Sequence, residues 1–360
     1  THSRFTALFD AFTRETGIAV THRFVPTEDI LPFLLRAAES RQLPDAVVLS
    51  ADNLSVSLLA YEDVPRDLVS DAIDDAILDL ARVDGRLKGI PILTGNQLLL
   101  YYNKTRLPHA PARLEALAPA SDDAAPRVAW NFRSMYWFLT FLAGRGGFPI
   151  RDGDVALDTP PMRETLEAYV ALARSGFVDP DLDYPAIHQA FVDGRLDAII
   201  DGEWVAGELH TAMGETLGIA PLPTWEGTPL QAFRSAQVLA FPNLSLSGRR
   251  GPLLRQLARF LQTPEAQRYI WQTIGAIPVR RDTQAELRAS GDHHMAALLE
   301  TWAAADALRP DRRMPLVWEA LKVGFTRCAE GIYTAADAAA FMQHRFAQSS
   351  PSQAPLPPDR

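Results

Sequence analysis

The sequence predicts an α/β protein built as two doubly wound lobes, and three observations carry that prediction. The chain has 360 residues, and at roughly 150 residues per domain this suggests two or three lobes rather than one small module. Its first 50 residues alternate helix and strand signals, and the same alternation resumes from Ile187 after a polar stretch, Ala110 to Ala125, rich in Pro, Ala and Asp. Alternation at this spacing implies right-handed crossovers and a mostly parallel sheet with helices on both faces.

The opening helix spans Ser3 to Glu15, where Phe5, Leu8, Phe9 and Phe12 fall at i, i+3, i+4 and i+7. Gly17 ends it at the C′ position. Ile18, Val20, His22 and Phe24 alternate as a strand would, Thr27 is placed to cap a helix through Ile30, Leu34 and Leu35, and Ala46 to Leu49 reads as a short buried strand. A doubly wound lobe ordinarily begins with a central strand, so the true first strand is expected upstream of Thr1. In the second half, Ile187 to Asp193 reads as helix, Leu196 to Ile200 as buried strand, Trp204 to Met213 as helix and Leu217 to Leu222 as a strand closed by Pro223. The strand Val238 to Phe241 leads to the helix Pro252 to Leu261. Thr263-Pro264-Glu265 then combines a capping Thr, Pro at the first helical position and an acid in the first turn. The remainder to Ala347 is mainly helical, and the proline-rich tail 349–360 is expected to be disordered.

Composition removes several function classes. The net charge of −9 repels phosphate backbones and anionic lipid, so nucleic acid is not an expected partner. A single cysteine, Cys328, excludes an intrachain disulfide, a redox pair and a cysteine-based zinc cluster; it reads as a small buried hydrophobe on a helix. The longest apolar runs, such as Leu98 to Tyr102, fall far short of the roughly 20 residues that cross a bilayer.

Enzyme signatures are missing as well: the chain has no GxSxG elbow, no Walker loop and no HExxH. Gly144-Arg145-Gly146-Gly147 follows a helix and reads as its terminus. His293-His294 beside Asp292 reads as a solvated helix start, because adjacent helical side chains diverge by about 100°. No catalytic residue, metal or cofactor is expected. Aromatic residues at element ends carry the positive signal: Trp130, Tyr136 and Trp137 in one cluster, Trp204 after a strand, and Trp318 opening an apolar helix. Trp271 and Trp302 are assigned to the core. Aromatic faces stack on the C–H faces of sugar rings while neighbouring polar groups meet the hydroxyls. Trp204 is the best placed, because Ala198-Ile199-Ile200-Asp201-Gly202 is a buried strand ending in a turn. In open α/β sheets, ligands collect beyond the carboxyl ends of strands.

Five blocks in order carry a resemblance. These are Phe9-x-x-Phe12 through Thr16-Gly17-Ile18-x-Val20, Leu43-Pro44-Asp45 before Ala46-Val47-Val48, and Gly89-Ile90-Pro91 through Tyr101-Tyr102-Asn103-Lys104. The last two are Phe191-x-x-Gly194-Arg195-Leu196-Asp197-Ala198 into Gly202-x-Trp204, and Ala220-Pro221-Leu222-Pro223. Together they resemble the extracellular solute-binding proteins of ABC importers, in the cluster of maltose-binding-protein-like sugar binders.

The resemblance implies two α/β lobes of the type II periplasmic binding-protein kind, joined by a hinge, with the ligand enclosed between them on closure. Lobe one would hold 1–95 and 240–285, and lobe two 97–238 and 288–346. The positions that line the sugar site in relatives correspond to Asp52, Asn53, Asn96, Ser134, Tyr136 with Trp137 alongside, Trp204, Trp318 and Lys322; Arg234, with Arg133 and Asp311 to Arg313, is a further polar candidate. The chain departs from maltose-binding protein at Leu49, where that protein has a tryptophan, at Asn96 and Ser134, where it has acids, and at Asn53 and Lys322, where it has arginines, so the resemblance implies a saccharide rather than maltose in particular. It further implies a monomer that performs no chemistry and delivers its small-molecule ligand to ABC permease subunits. Such a protein is periplasmic, or extracellular and lipid-anchored, with a leader removed upstream of Thr1. A polyamine or phosphate ester in the same fold, and a two-lobed carbohydrate-active enzyme, remain the alternatives.

Overall fold

The computed structural model describes residues 2–121, 124–151 and 153–349. Ser349 closes the last helix, and the rest of the expected tail lies outside the described residues. The chain divides into two compact units. Unit one comprises 1–110, 200–222 and 232–312; unit two comprises 111–199, 223–231 and 313–360.

Unit one is organised on the strand Phe233–Ala240. It pairs antiparallel with Val47–Ser50 on one side and Gly89–Gly95 on the other, and its first two residues pair parallel with Asp306–Ala307. Successive residues of a strand point to opposite faces, and Val238 and Leu239 are both buried, so both faces of this strand are covered. Leu49, Ile90, Ile92, Val238 and Leu239 accordingly lie in one core. The helix His2–Thr16 presents Leu8 and Phe12 to that core, and Phe12 meets Phe260 of the helix Gly251–Leu261 at 5.3 Å between ring centroids. A second antiparallel pair joins Leu98–Asn103 to Leu217–Ala220. Gln267 is fully buried with its amide satisfied: it donates to the carbonyls of Ile92 and Leu261 and accepts from the Val279 N–H at 2.7 Å.

Several expectations change here. The α/β reading stands, but the main sheet is mostly antiparallel among the described residues, because the central strand comes from a late segment and not from a βαβ crossover. That strand starts five residues earlier than its apolar run suggested, since Arg234, Ser235 and Gln237 interrupt the run while Ser235 is itself fully buried. Ile18 to Phe24 is not a strand. Ile18 and Val20 do rest against the core, so the alternation reports burial, but no described residue supplies a ladder partner. Thr27 opens the helix Thr27–Glu39 with Pro26 in the capping position. Thr263 caps as expected, its hydroxyl accepting from the Ala266 N–H.

Unit two centres on aromatic packing. Val128–Ala129 pairs parallel with Ala198–Ile199, and around this pair the helices Met135–Gly144, Pro160–Arg174, Met314–Ala329 and Ala335–Ser349 bury Trp130, Phe132, Phe138, Phe141, Tyr169 and Phe325. Phe132 stacks on Tyr169 at 4.6 Å, and Phe325 lies within 5.8 Å of Phe132, Phe138 and Tyr169. The polar tips are satisfied: the Trp130 indole N–H donates to the Tyr169 hydroxyl at 2.8 Å, which donates to the Phe132 carbonyl. Trp130 is thus core, not platform. Cys328 is buried as expected, and burial pushes its thiol pKa up.

Candidate functional site

In unit one, the pairing register decides where side chains emerge. Ser50 lies opposite Gln237 and Gly95 opposite Ser235, so both outer strands run the same way and end where the central strand begins. Asp52 and Asn53, Asn96 and Arg234 therefore leave the sheet at one edge, the carboxyl end of two of its strands. Asp52 and Asn53 sit in the 3-10 turn Ala51–Ser55, where the Ser55 hydroxyl donates to the Asp311 carbonyl at 3.0 Å. Burial raises the Asp52 pKa, opposed by a hydrogen bond from Ser50.

Asn96 follows Gly95, whose φ of 144° belongs to glycine, and has a positive φ of 68° itself. The reason for the glycine is Glu203: a methyl at Gly95 would overlap its carboxylate. That carboxylate is 2% exposed and accepts the Asn96 N–H at 2.9 Å, while the Glu203 N–H donates to the Gln97 carbonyl at 3.1 Å. Burial pushes the Glu203 pKa up to about 7, partly offset by the Asn96 hydrogen bond. Gln97 in turn donates to the Leu298 carbonyl and the Thr301 hydroxyl, both at 3.1 Å. Trp204 comes next along the chain. Its indole lies against Gly202, where a methyl would overlap the ring, and it keeps 39% of its surface exposed. The Gly202 carbonyl accepts from the Tyr101 hydroxyl at 2.9 Å.

Arg234 has a structural environment of its own. Its guanidinium lies 4.6 Å from the centroid of the Trp302 ring and donates to the Trp302 and Ala303 carbonyls at 3.2 and 3.3 Å. Trp302 is half-buried and donates to the Thr94 hydroxyl at 3.0 Å, and the half-buried Trp271 donates to Asp292 at 2.9 Å. Arg133 pairs with Asp181 at 2.6 Å, Arg312 pairs with Asp84, and Arg313 donates to the Gly153 carbonyl.

In unit two, Ser134 occupies the capping position of Met135–Gly144 without capping it, and Tyr136 and Trp137 fill the first turn with their rings edge-on at 6.1 Å. Trp137 meets Tyr184 at 6.0 Å, and Tyr184 meets His188 at 4.5 Å. Trp318 is half-buried and Lys322 exposed on the helix Met314–Ala329, one turn apart and so on one face. The structure thus puts Asp52, Asn53, Asn96 and Arg234 at one sheet edge of unit one and Trp204 one residue past the Glu203–Asn96 bond, and it holds Ser134, Tyr136 and Trp137 on one helix of unit two and Trp318 and Lys322 on another.

Sequence reasoning missed the clamp formed by Glu203 and the Gly95 turn; the pair Gly-Asn directly after an apolar strand was its one available signal. The pair His293-His294, expected to be solvated, is split: His293 is exposed and His294 is not. Asp292 does cap that helix, but His294 is half-buried against His210, with ring centroids 4.2 Å apart. Among the described residues, no group of three or more His, Cys, Asp or Glu is arranged to hold a metal, and no helix is long and apolar enough to cross a membrane.

Comparison with known proteins agrees with this architecture. The family model for bacterial extracellular solute-binding proteins matches residues 7–300. The maltodextrin-binding protein MdxE of Bacillus subtilis (strain 168) is 28% identical over an alignment of 171 residues that covers 42% of this chain and 40% of that protein. The chain therefore matches about two-fifths of the length of this relative. The maltose/maltodextrin-binding domain MalE from Bdellovibrio bacteriovorus, solved bound to maltotriose, superposes with a TM-score of 0.87 at 17% identity, covering 96% of each chain, and so shares the fold. With the family pattern running through most of its length, the chain belongs to the bacterial extracellular solute-binding proteins.

Proposed function

We propose that this protein is the saccharide-binding component of an ABC importer: it captures a mono- or oligosaccharide, performs no chemistry on it, and hands it to membrane permease subunits. The observation that carries this reading is the half-exposed Trp204 indole, fixed against Gly202 and one residue past Glu203, whose carboxylate accepts the Asn96 N–H. A flat apolar face bordered by hydrogen-bonding groups suits a sugar ring. The half-buried Tyr136 and Trp318 add aromatic surface in unit two, while Trp137, at 6% exposure, packs edge-on behind Tyr136. On this reading Ser134, Lys322 and Arg234 are among the polar contacts. The maltodextrin-binding relative and the maltotriose-bound neighbour support a glucose oligomer as the first ligand to test. The family membership supports an exported protein; on this reading it is a monomer, periplasmic or lipid-anchored.

Calorimetry with maltotriose, maltose, glucose, putrescine and glycerol phosphate tests the assignment. Heat with at least one saccharide and no turnover of it is expected. Binding of the polyamine or the phosphate ester with no heat from any saccharide would sink the reading. Replacing Trp204 or Trp318 by Ala should each weaken saccharide binding by about 1–3 kcal/mol, the worth of a stacked, buried aromatic.

A further inference from the structure

We propose that Glu203 is a positioning residue of the ligand surface: its buried side chain stitches the Gly95–Gln97 turn to the Asp201–Trp204 turn and thereby sets Asn96 and Trp204 in one frame. The inference rests on the reading that Asn96 and Trp204 face the saccharide.

A residue serving only to fill space at position 203 would be apolar, because an isolated buried carboxyl is costly and must be compensated by hydrogen bonds. Glu203 is 2% exposed, and burial rather than a neighbouring charge governs its titration. What the carboxyl supplies is an acceptor. The positive φ values of Gly95 and Asn96 turn the Asn96 N–H toward Glu203 Oε2 at 2.9 Å. The bond is reciprocated through the backbone, where the Glu203 N–H donates to the Gln97 carbonyl. Each side of this stitch is anchored separately: Gln97 to the helix His293–Ala304 through Leu298 and Thr301, and Gly202 to Tyr101. Gly95 also has no room for a side chain, so the turn is shaped around the carboxyl itself. Trp204 departs from the residue directly after the stitch, and Asn96 carries its N–H. Neither can shift without breaking it.

The test uses Glu203→Gln, which keeps an acceptor oxygen, and Glu203→Leu, which keeps the volume without one. Maltotriose affinity is measured by calorimetry, and acrylamide quenching of Trp204 is taken as the difference from a Trp204→Phe partner of each variant. Glu203→Leu should weaken binding at least tenfold and raise Trp204 quenching in the ligand-free protein, while Glu203→Gln stays within about threefold of the parent in both. Thermal melts identify any variant that fails to fold, and for that case Gly95→Ala supplies the second route. Its effect on Trp204 quenching should be smaller in a Glu203→Ala background, where the overlap with the carboxylate is gone. Unchanged quenching and affinity in Glu203→Leu, or a Gln variant as impaired as the Leu variant, would overturn the inference. A parent protein that binds no saccharide, yet in which Leu but not Gln frees Trp204, would defeat the functional reading and leave the stitch standing.

Discussion

The two units hold their candidate ligand groups by different physics. In unit one, Asn96 and Trp204 are placed by hydrogen bonds to backbone, by positive-φ turns and by a buried carboxyl. In unit two, Tyr136, Trp137 and Trp318 ride on helices whose inner faces meet in a cluster of buried rings. A polar clamp is directional but is stable only while its groups are paired and in the right protonation state. An aromatic core is indifferent to pH and sensitive to volume. The difference teaches where each kind of perturbation should act.

The largest expected effect lies in unit two. Phe325 is 1% exposed and touches Phe132, Phe138 and Tyr169, so Phe325→Ala should cost about 3–5 kcal/mol of stability through the cavity it leaves. Urea unfolding gives that loss. Saccharide binding should weaken with it, because the same helix carries Trp318 and Lys322. Full affinity in a destabilised variant would break the link between the aromatic core and the ligand surface.

A smaller effect, with a pH signature, belongs to unit one. Folding raises the Glu203 pKa from its ordinary 4.5 to about 7, so the folded state binds this proton more tightly than the unfolded chain does. The parent should be unaffected below pH 4.5 and lose stability as pH rises through 7, by about 3 kcal/mol at 1.36 kcal/mol per pH unit. Glu203→Gln should lack that loss. Urea midpoints at pH 4, 6 and 8 check the sign; a variant whose profile parallels the parent would place the pH sensitivity elsewhere.

These contrasts mark what was legible in the sequence. Local chemistry was readable: Thr263 caps its helix because its side chain and the Ala266 N–H lie within one turn, and Gly17 ends the first helix with a φ of 73°. Apolar periodicity placed Leu8 and Phe12 in the core for the same reason. Pairing was not readable, since Phe233–Ala240 joins two strands more than a hundred residues away, and its buried Ser235 breaks the apolar pattern. Nor could spacing reveal that Arg234 lies over Trp302 or that Glu203 is buried. A charged residue is read as exposed until the fold supplies its partner.

His294 offers the smallest and most discriminating effect. Burial first, then the positive neighbours His210 and Lys104, hold its pKa down to about 4, against the opposing pull of Asp292 and Glu215. Its Nε2 is buried without a hydrogen-bond partner. The unfolded chain takes up this proton near pH 6.5 while the folded state resists it, so the contribution to stability is present above 6.5 and is lost as pH falls toward 4. This is opposite in sign to Glu203. The ring is only half-buried, so solvent screening keeps the loss well below that of Glu203. Because the Glu203 loss falls in the same interval with the opposite sign, His294→Phe should steepen the fall in stability from pH 5 to 7 relative to the parent. If unit one is the pH-sensitive half, the His294→Phe, Glu203→Gln double variant should unfold with a urea midpoint nearly independent of pH across that range. A residual slope as steep as the parent's would mean that the aromatic unit carries titrating groups of its own, and the contrast between the two units would fail.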